Sequence, residues 1–362
     1  MADKHTKETT EEFSSRIFGI VSGSFTGISI AFGYKTGLFK VLVDHHDTPM
    51  TSQEIADVAG LKERYVREWL GVMTTASIVD LDPVTEKYHL PPHRVDSFRS
   101  GTMVGHSASC CIAIPEFSQA FPTMVDVVKK DGPRGMTFSM MPNAPEFTEA
   151  FSSPWMNECL IQKLIPSQPE IMSKLETGIR MLEVGCGRGA ATRKFAERFP
   201  NSHAVGLDID QGEVDRANEL AKSLALNNVE YVCSDAAAMP KDWTSTFDYV
   251  FIYDVLHDTA RPDLIIDEVK RVMKTSGIVS VIEMNADSKQ SGNIENPAAP
   301  MLYTCSLFYC LPMGYNAPGS MGLGTLWGKD RIREFMKGKG LRVKSETKVP
   351  MMPQIHFLLE LM

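Results

Sequence analysis

The chain has 362 residues, 43% of them hydrophobic and 23% charged, with a net charge of −8; a chain of this size folds around one large core or, by usual domain sizes, two. That acidic balance argues against a nonspecific nucleic-acid binder, which needs cationic surface to neutralise phosphates, and suits a soluble enzyme. Seven cysteines, an odd number with no C-x-x-C pair, indicate neither a disulfide framework nor a zinc site; no metal is expected, and the setting is a reducing cytoplasm.

In chain order, Met1 to Glu8 is polar and charged with no apolar run beside it, so a secretory signal is not expected. Residues 17–34 carry no charge and are long enough to be a membrane-span candidate. Ser22, Ser24, Thr26 and Ser29 dilute that apolarity, while Gly19, Gly23 and Gly27 recur along one helical face. The expectation is a buried packing or homodimer-interface helix, not a stable membrane span.

Thr51 to Ala56 can cap and start a helix that Gly60 ends, and Lys62 to Thr75 supply a second. Two short strands, 78–81 and 87–90, complete a winged-helix outline. Residues 47–96 hold five Lys or Arg against nine Asp or Glu, the wrong sign for DNA, so scaffolding or dimerisation is expected and no nucleic-acid partner. Residues 101–165 read as further helices interrupted by Pro115, Pro122 and Gly132-Pro133-Arg134-Gly135. His106 and Cys110-Cys111 there are read as core residues.

Pro166, Pro169 and Gly178 mark a boundary. The expected organisation is a helical, winged-helix dimerisation domain over 1–100, a helical connector over 101–175 that contributes to a substrate pocket, and an α/β domain over 176–362. In the last, strands at 180–184, 204–207, 229–233, 249–253 and 278–283 alternate with helices at 190–199, 212–224 and 262–273. A helix at 329–338 and closing strands at 342–348 and 356–361 follow, giving seven strands in a doubly wound, Rossmann-like sheet.

In such a sheet, ligands bind at the carboxyl ends of the strands. There lies Glu183-Val184-Gly185-Cys186-Gly187-Arg188-Gly189, whose glycines let backbone turn tightly and approach a ligand. It lacks the lysine of a triphosphate loop and the G-x-G-x-x-G order of a dinucleotide loop. A carboxylate beside it suits a cofactor with cationic sulfonium and ammonium groups. This E-x-G-x-G-x-G pattern resembles the class I S-adenosylmethionine-dependent methyltransferases, over residues 175–362. The resemblance implies that Glu183, Gly185, Cys186 and Gly187 frame the methionine end of S-adenosyl-L-methionine. It implies that Asp208, with Ile209, meets the ribose, and that Asp235, flanked by Ser234 and Ala236, meets the adenine. Asp208 and Asp235 could instead be loop or helix-capping residues.

Tyr253 and Asp254 end the expected fourth strand, where the resemblance implies that they bind the cofactor near its methyl group, and His257 follows. Leu256-His257-Asp258 resembles the corresponding segment of winged-helix small-molecule O-methyltransferases, whose base is a histidine there. An imidazole titrating near neutrality could take a hydroxyl proton; the alternative is a structural His257 bonded to Asp254 or capping the next helix. Residues 297–328 carry no charge. With a cover segment placed at 288–328, Tyr303, Phe308, Tyr309, Met313 and Trp327 are expected to line a substrate pocket, a core or interface segment being the alternative. The expected activity is methylation of a small-molecule acceptor, oxygen favoured, with nitrogen or sulfur acceptors, or a cofactor-sensing regulator without turnover, as alternatives.

Overall fold

The computed structural model describes residues 8–141 and 143–362; apart from Glu8, the opening segment read for a secretory signal lies outside them. The chain forms two compact units, one running to Ser118 and including Glu146–Phe151, the other comprising Gln119–Pro145 and Ser152–Met362. The residues expected as a connector are therefore shared between the units.

The first unit is helical. Helix α1 (Thr10–Lys35) opens with a capping box, Thr9 taking the Glu12 N–H while Glu12 reaches back to the Thr9 N–H. After α2 (Leu38–Asp44), α3 (Ser52–Ala59) starts with the same device at Thr51 and Glu54 and ends on Gly60 at φ 68°. Helix α4 (Glu63–Thr75) and an antiparallel pair, β1 (Asp80–Asp82) and β2 (Lys87–His89), complete the winged helix. Its core joins Leu38, Phe39, Ile55, Trp69, Leu70 and Met73. The Trp69 indole donates to the Ser29 carbonyl at 2.9 Å.

Helix α1 departs from the expected buried element. Only Gly27, Ala31 and Gly33 are buried, and Phe18 and Phe25 are 73% and 67% exposed. Gly33 lies tight on the core, since a Cβ there would sit 2.6 Å from Trp69, and Gly27 lies tight on Ile114; Gly19 and Gly23 face open space. The four-residue glycine spacing marks a face of which only one end is packed within the chain. On α4 the cations are spent locally, Arg64 on Glu68 and Arg67 on Glu63 at 3.3 Å.

The second unit is built on seven strands: β3 (Arg180–Val184), β4 (His203–Asp208), β5 (Val229–Cys233), β6 (Phe247–Tyr253), β7 (Met273–Met284), β8 (Leu341–Lys348) and β9 (Gln354–Leu361). Their order is β5-β4-β3-β6-β7-β9-β8. The first five are parallel, and β9 runs antiparallel to both β7 and β8. Helices cross between the parallel strands, so β3 and β6 are buried along nearly their whole length and read as continuous apolar runs. Strand order reverses between β3 and β6, and the crevice for a ligand opens at their carboxyl ends.

Two departures matter for the site. Strand β7 begins at Met273, five residues earlier than expected, because Met273 already pairs with Phe247 before a register shift; Thr275-Ser276-Gly277 reads as a turn from composition alone. The expected cover segment holds an unbroken helical run, Ala299–Cys305 followed by π-helical Ser306–Cys310 and then Leu311–Gly314. A π turn has no signature in hydrophobic spacing, and such turns recur at functional sites.

Candidate active site

The loop after β3 turns through three glycines at positive φ: Gly185 at 70°, Gly187 at 50° and Gly189 at 71°. A Cβ on Gly185 would press on Val255, and one on Gly189 would sit 2.2 Å from the Tyr231 ring, but at Gly187 nothing lies within 4 Å. Gly187 is thus the point where backbone is open to a ligand. Tyr231 also donates its hydroxyl to the Gly189 carbonyl at 3.0 Å. Gly189→Ala is therefore expected to displace Tyr231 and cost about 1–3 kcal/mol through overpacking and the left-handed backbone. Thermal unfolding measures it, and an unchanged midpoint would show that the loop shifts freely.

Glu183 lies beneath this loop, its buried carboxylate accepting the Thr192 N–H at 2.6 Å and the Thr192 hydroxyl. Burial lifts its carboxyl to about 7 against those hydrogen bonds. It locks the first turn of helix Ala190–Arg198 to the strand end. Cys186 turns its thiol into an apolar cluster with Val214, Ala217 and Tyr231, so its contribution to a ligand is its backbone.

Asp208, at the end of β4, holds the loop from the side. One carboxylate oxygen accepts the Gly187 N–H at 2.7 Å and the other the Asp210 N–H at 3.0 Å. With backbone N–H groups of Gly187, Asp210 and Ile209 directed at it, the carboxylate keeps capacity for a ribose hydroxyl. Burial raises the Asp208 carboxyl above its ordinary range. Ile209 beside it is 61% exposed, an apolar plate at the strand edge. The Ser234 N–H donates to the Asp208 carbonyl at 2.9 Å, bringing the end of β5 alongside. Asp235 accepts the Ala237 N–H at 2.8 Å, forming the turn there, and Ala236 packs on the sheet core.

At the end of β6, Tyr253 stacks on Trp155 with ring centres 5.2 Å apart. Gln354 donates to the Tyr253 hydroxyl at 3.2 Å and to Asp254 at 2.7 Å. Asp254, at φ 50°, keeps its other oxygen buried without a partner. Burial raises its carboxyl to about 7, with His257 opposing.

The 3-10 turn Leu256–Asp258 carries His257 into a buried position. Its Nδ1 lies 2.5 Å from Glu283 Oε2, which also accepts the Trp327 indole N–H at 3.1 Å. Its Nε2 lies 3.2 Å from Asp258 Oδ1. The Cys310 thiol lies in the same cluster as His257 and Asp258. Burial works to lower the His257 value, but Glu283 and Asp258 outweigh it and hold the ring well above the ordinary imidazole range. Donor atoms of His257, Asp258 and Cys310, and of Asp254, His257 and Glu283, lie within 4.8 Å of one another. Nδ1 is thus hydrogen-bonded to Glu283, while the contact of Nε2 with Asp258 Oδ1 is an approach without a hydrogen bond.

Residues 24–99 match the Rv2258c-like winged HTH domain family, and residues 175–323 match the methyltransferase domain family. Residues 175–323 thus carry a methyltransferase domain. Among curated proteins, the chain is 30% identical over 110 residues to sterol 24-C-methyltransferase ERG6B of Gibberella zeae; the match spans 30% of the chain and 28% of that protein. Its fold is shared with mitomycin 7-O-methyltransferase, at 17% identity, TM-score 0.69, and coverage of 96% of this chain and 98% of that one. Human N-acetylserotonin methyltransferase, solved with S-adenosylmethionine, is 14% identical at TM-score 0.68, covering 98% of this chain and 99% of its own.

The geometry of the methyltransferase domain fits S-adenosylmethionine. Open backbone at Gly187, spare acceptor capacity on Asp208, the exposed Ile209 plate and the unpartnered Asp254 oxygen lie along the carboxyl ends of β3, β4 and β6. Of the residues expected to line a pocket, Tyr309 and Met313 are buried. Burial pushes the Tyr309 hydroxyl well up, reinforced by Asp258, Cys310 and Asp208. Phe308 stacks on Phe121 at 6.2 Å, and Tyr303 accepts from Asn293 at 3.3 Å. Trp327 differs from expectation: it belongs to the sheet core and reaches the site only through Glu283. Sequence reasoning missed Glu283, Gln354 and Cys310. The readable signal was Glu283 itself, an acid closing the apolar run Ile278-Val279-Ser280-Val281-Ile282 at the carboxyl end of its strand.

Proposed function

We propose that the chain transfers a methyl group from S-adenosylmethionine to a hydroxyl oxygen of a small-molecule acceptor. The observation that carries this reading is the buried Glu283–His257–Asp258 assembly at the carboxyl end of β6, linked by contacts of 2.5 and 3.2 Å. When bound, the cofactor supplies an activated methyl on a good leaving group, so alignment and exclusion of water account for much of the work. A neutral hydroxyl has a further need, because its proton must leave as the oxygen attacks. An already neutral amine or a thiolate needs no such assembly.

Asp208 and the Gly187 backbone would hold the ribose side and the loop, Ile209 and Asp235 the adenine side, and Asp254 the region bordering the methyl. Glu183 keeps the loop rigid from below. The mitomycin enzyme, named for transfer to oxygen, supports the same acceptor atom by fold analogy. The unpartnered apolar face of α1 supports a homodimer built on the winged-helix unit, and seven free cysteines support a cytoplasmic setting. Light scattering that returns a monomer would remove the dimer. The acceptor atom is tested by incubating the protein with cell extract and methyl-labelled cofactor, then profiling products. The expected label is in a methoxy group; label on nitrogen, sulfur or carbon would overturn the reading, and calorimetric binding without any labelled product would favour a sensor.

A further inference from the structure

We propose that His257, Asp258 and Cys310 form a binding site for a thiophilic divalent cation of the zinc class, and that its occupation stops methyl transfer. The site stands whatever the acceptor; the loss of transfer rests on the hydroxyl-methylation reading.

Three donors of different chemistry converge here. His257 Nε2, a carboxylate oxygen of Asp258 and the Cys310 thiol lie within 4.8 Å of one another. Imidazole and thiolate together select zinc and its neighbours over magnesium or calcium, which take oxygen ligands. A tetrahedral zinc with bonds of about 2.1 Å holds its nitrogen and oxygen ligands about 3.4 Å apart, and Nε2 lies 3.2 Å from Asp258 Oδ1. That approach is no hydrogen bond, since Oδ1 is buried without a partner among the described residues. A buried oxygen left without a donor costs free energy. A cation held between the two atoms removes that cost, with the thiol at the third corner.

The far side of the ring is already built as the support of a ligand. Glu283 Oε2 lies 2.5 Å from Nδ1, too close for an ion between them, and also accepts the Trp327 N–H, so it is Nδ1 that donates. A carboxylate on the second ring nitrogen is the usual companion of a metal-bound histidine, fixing the ring and strengthening it as a ligand. Entry is from the Asp258 side, whose side chain is 20% exposed against 4% for His257. Three protein ligands leave a fourth position for water. The 3-10 turn after β6 supplies His257 and Asp258, and the π-helical turn Ser306–Cys310 supplies the thiol. Ligands drawn from two distant turns leave no short cysteine spacing, which is why the sequence pattern indicates no zinc.

The exchange balances in charge. With its ring protonated and its thiol neutral, the trio carries no net charge. The cation brings two positive charges as the Nε2 and thiol protons leave to solvent, so no charge is added to the buried site. Once bound, it occupies the nitrogen that a hydroxyl proton has to reach. The glycine loop and Asp208, at the ends of β3 and β4, remain open to the cofactor.

Two measurements test the proposal. In the first, cobalt replaces zinc as a coloured probe of the metal-free protein saturated with S-adenosylhomocysteine. At one equivalent it is expected to give the visible bands of tetrahedral coordination and a thiolate charge-transfer band in the near ultraviolet. Cys310→Ser and Asp258→Asn, both close in size to the native residues and checked by thermal unfolding, are expected to weaken binding by about 100-fold or more, since losing even a residue that only supports a ligand costs about 10–100-fold. Cys233→Ser, at the exposed thiol, is expected to leave the bands unchanged. Absent bands, or bands that survive Cys310→Ser, would overturn the site.

The second reads turnover with phenol as probe acceptor. One equivalent of zinc is expected to slow methylation by about 100-fold or more, the usual contribution of a general base, with a chelator restoring it and S-adenosylmethionine affinity unchanged by calorimetry. Methylation that zinc leaves intact or accelerates would refute the proposal. A protein that takes cobalt through Cys310 yet methylates amine or thiol probes and no phenol would instead bring down the hydroxyl reading.

Discussion

Glu283→Gln lowers the unfolding free energy by about 3–5 kcal/mol, the usual cost of removing one partner from a buried ion pair, and slows methyl transfer. Glu283 is wholly buried, and its Oε2 serves His257 and Trp327 at once. An amide of the same size can keep one of these contacts but cannot neutralise an imidazolium. The ring then loses its proton or remains as an uncompensated charge.

The pH dependence gives the effect a signature. His257 is held above its ordinary value, so its pairing contributes stability that is complete below about 6.5, the unfolded value, and is lost as pH rises through the folded one. His356 works the other way. Buried beside Ser280 and lowered to about 4 by desolvation, it contributes stability present above about 6.5 that is lost as pH falls. Glu183 and Asp254, raised to about 7, and the buried thiols also respond between about pH 7 and pH 9, so His257 is read from the difference between wild type and variant in urea unfolding at those two values. The wild type is expected to weaken between the two, and the glutamine variant to change less, Asp258 alone remaining. Matching midpoints for the two proteins at pH 7 would show that the ion pair is not formed.

The parts of this molecule that were legible in its sequence are those governed by local rules. Thr51 with Glu54 and Gly60 announce both ends of α3, and the alternation from Arg180 to Ile282 of short apolar runs with amphipathic ones predicts the parallel sheet. The glycine loop and Asp208 are readable because a ligand at a strand end needs open backbone and a carboxylate there. The rest depends on non-local geometry. That Glu283 meets His257 follows from β7 lying beside β6, and Gln354 reaches Asp254 only because β9 inserts antiparallel between β7 and β8. Trp327 packs in the sheet core, the alternative its segment allowed, because composition cannot tell an aromatic facing a cavity from one facing the core. Cys310 was invisible because the π turn that presents it leaves no mark on the spacing of apolar residues.

Asp208→Ala is expected to weaken S-adenosylmethionine binding by about 100-fold, equivalent to about 2.7 kcal/mol, while the sheet stays folded. The two halves of that expectation have separate causes. Affinity falls because the carboxylate does two jobs at once: its oxygens carry the Gly187 and Asp210 N–H groups, and their remaining capacity is placed to receive a ribose hydroxyl. Hydrogen bonds to a charged group contribute about 1.5–3 kcal/mol each, so losing either set accounts for the predicted change. The fold survives because Asp208 sits at the strand terminus, after the last residue that pairs with β3, and helix Gln211–Ser223 keeps its own cap at Asp210. Asp208→Asn separates the jobs. Its amide oxygen can keep one backbone N–H, but its NH2 group opposes the other, so it should fall between wild type and alanine. Calorimetric titration with thermal unfolding in parallel reads both halves. Unchanged affinity in the alanine variant would discard the ribose assignment, and lost affinity with a collapsed unfolding midpoint would make Asp208 a structural tie of the loop.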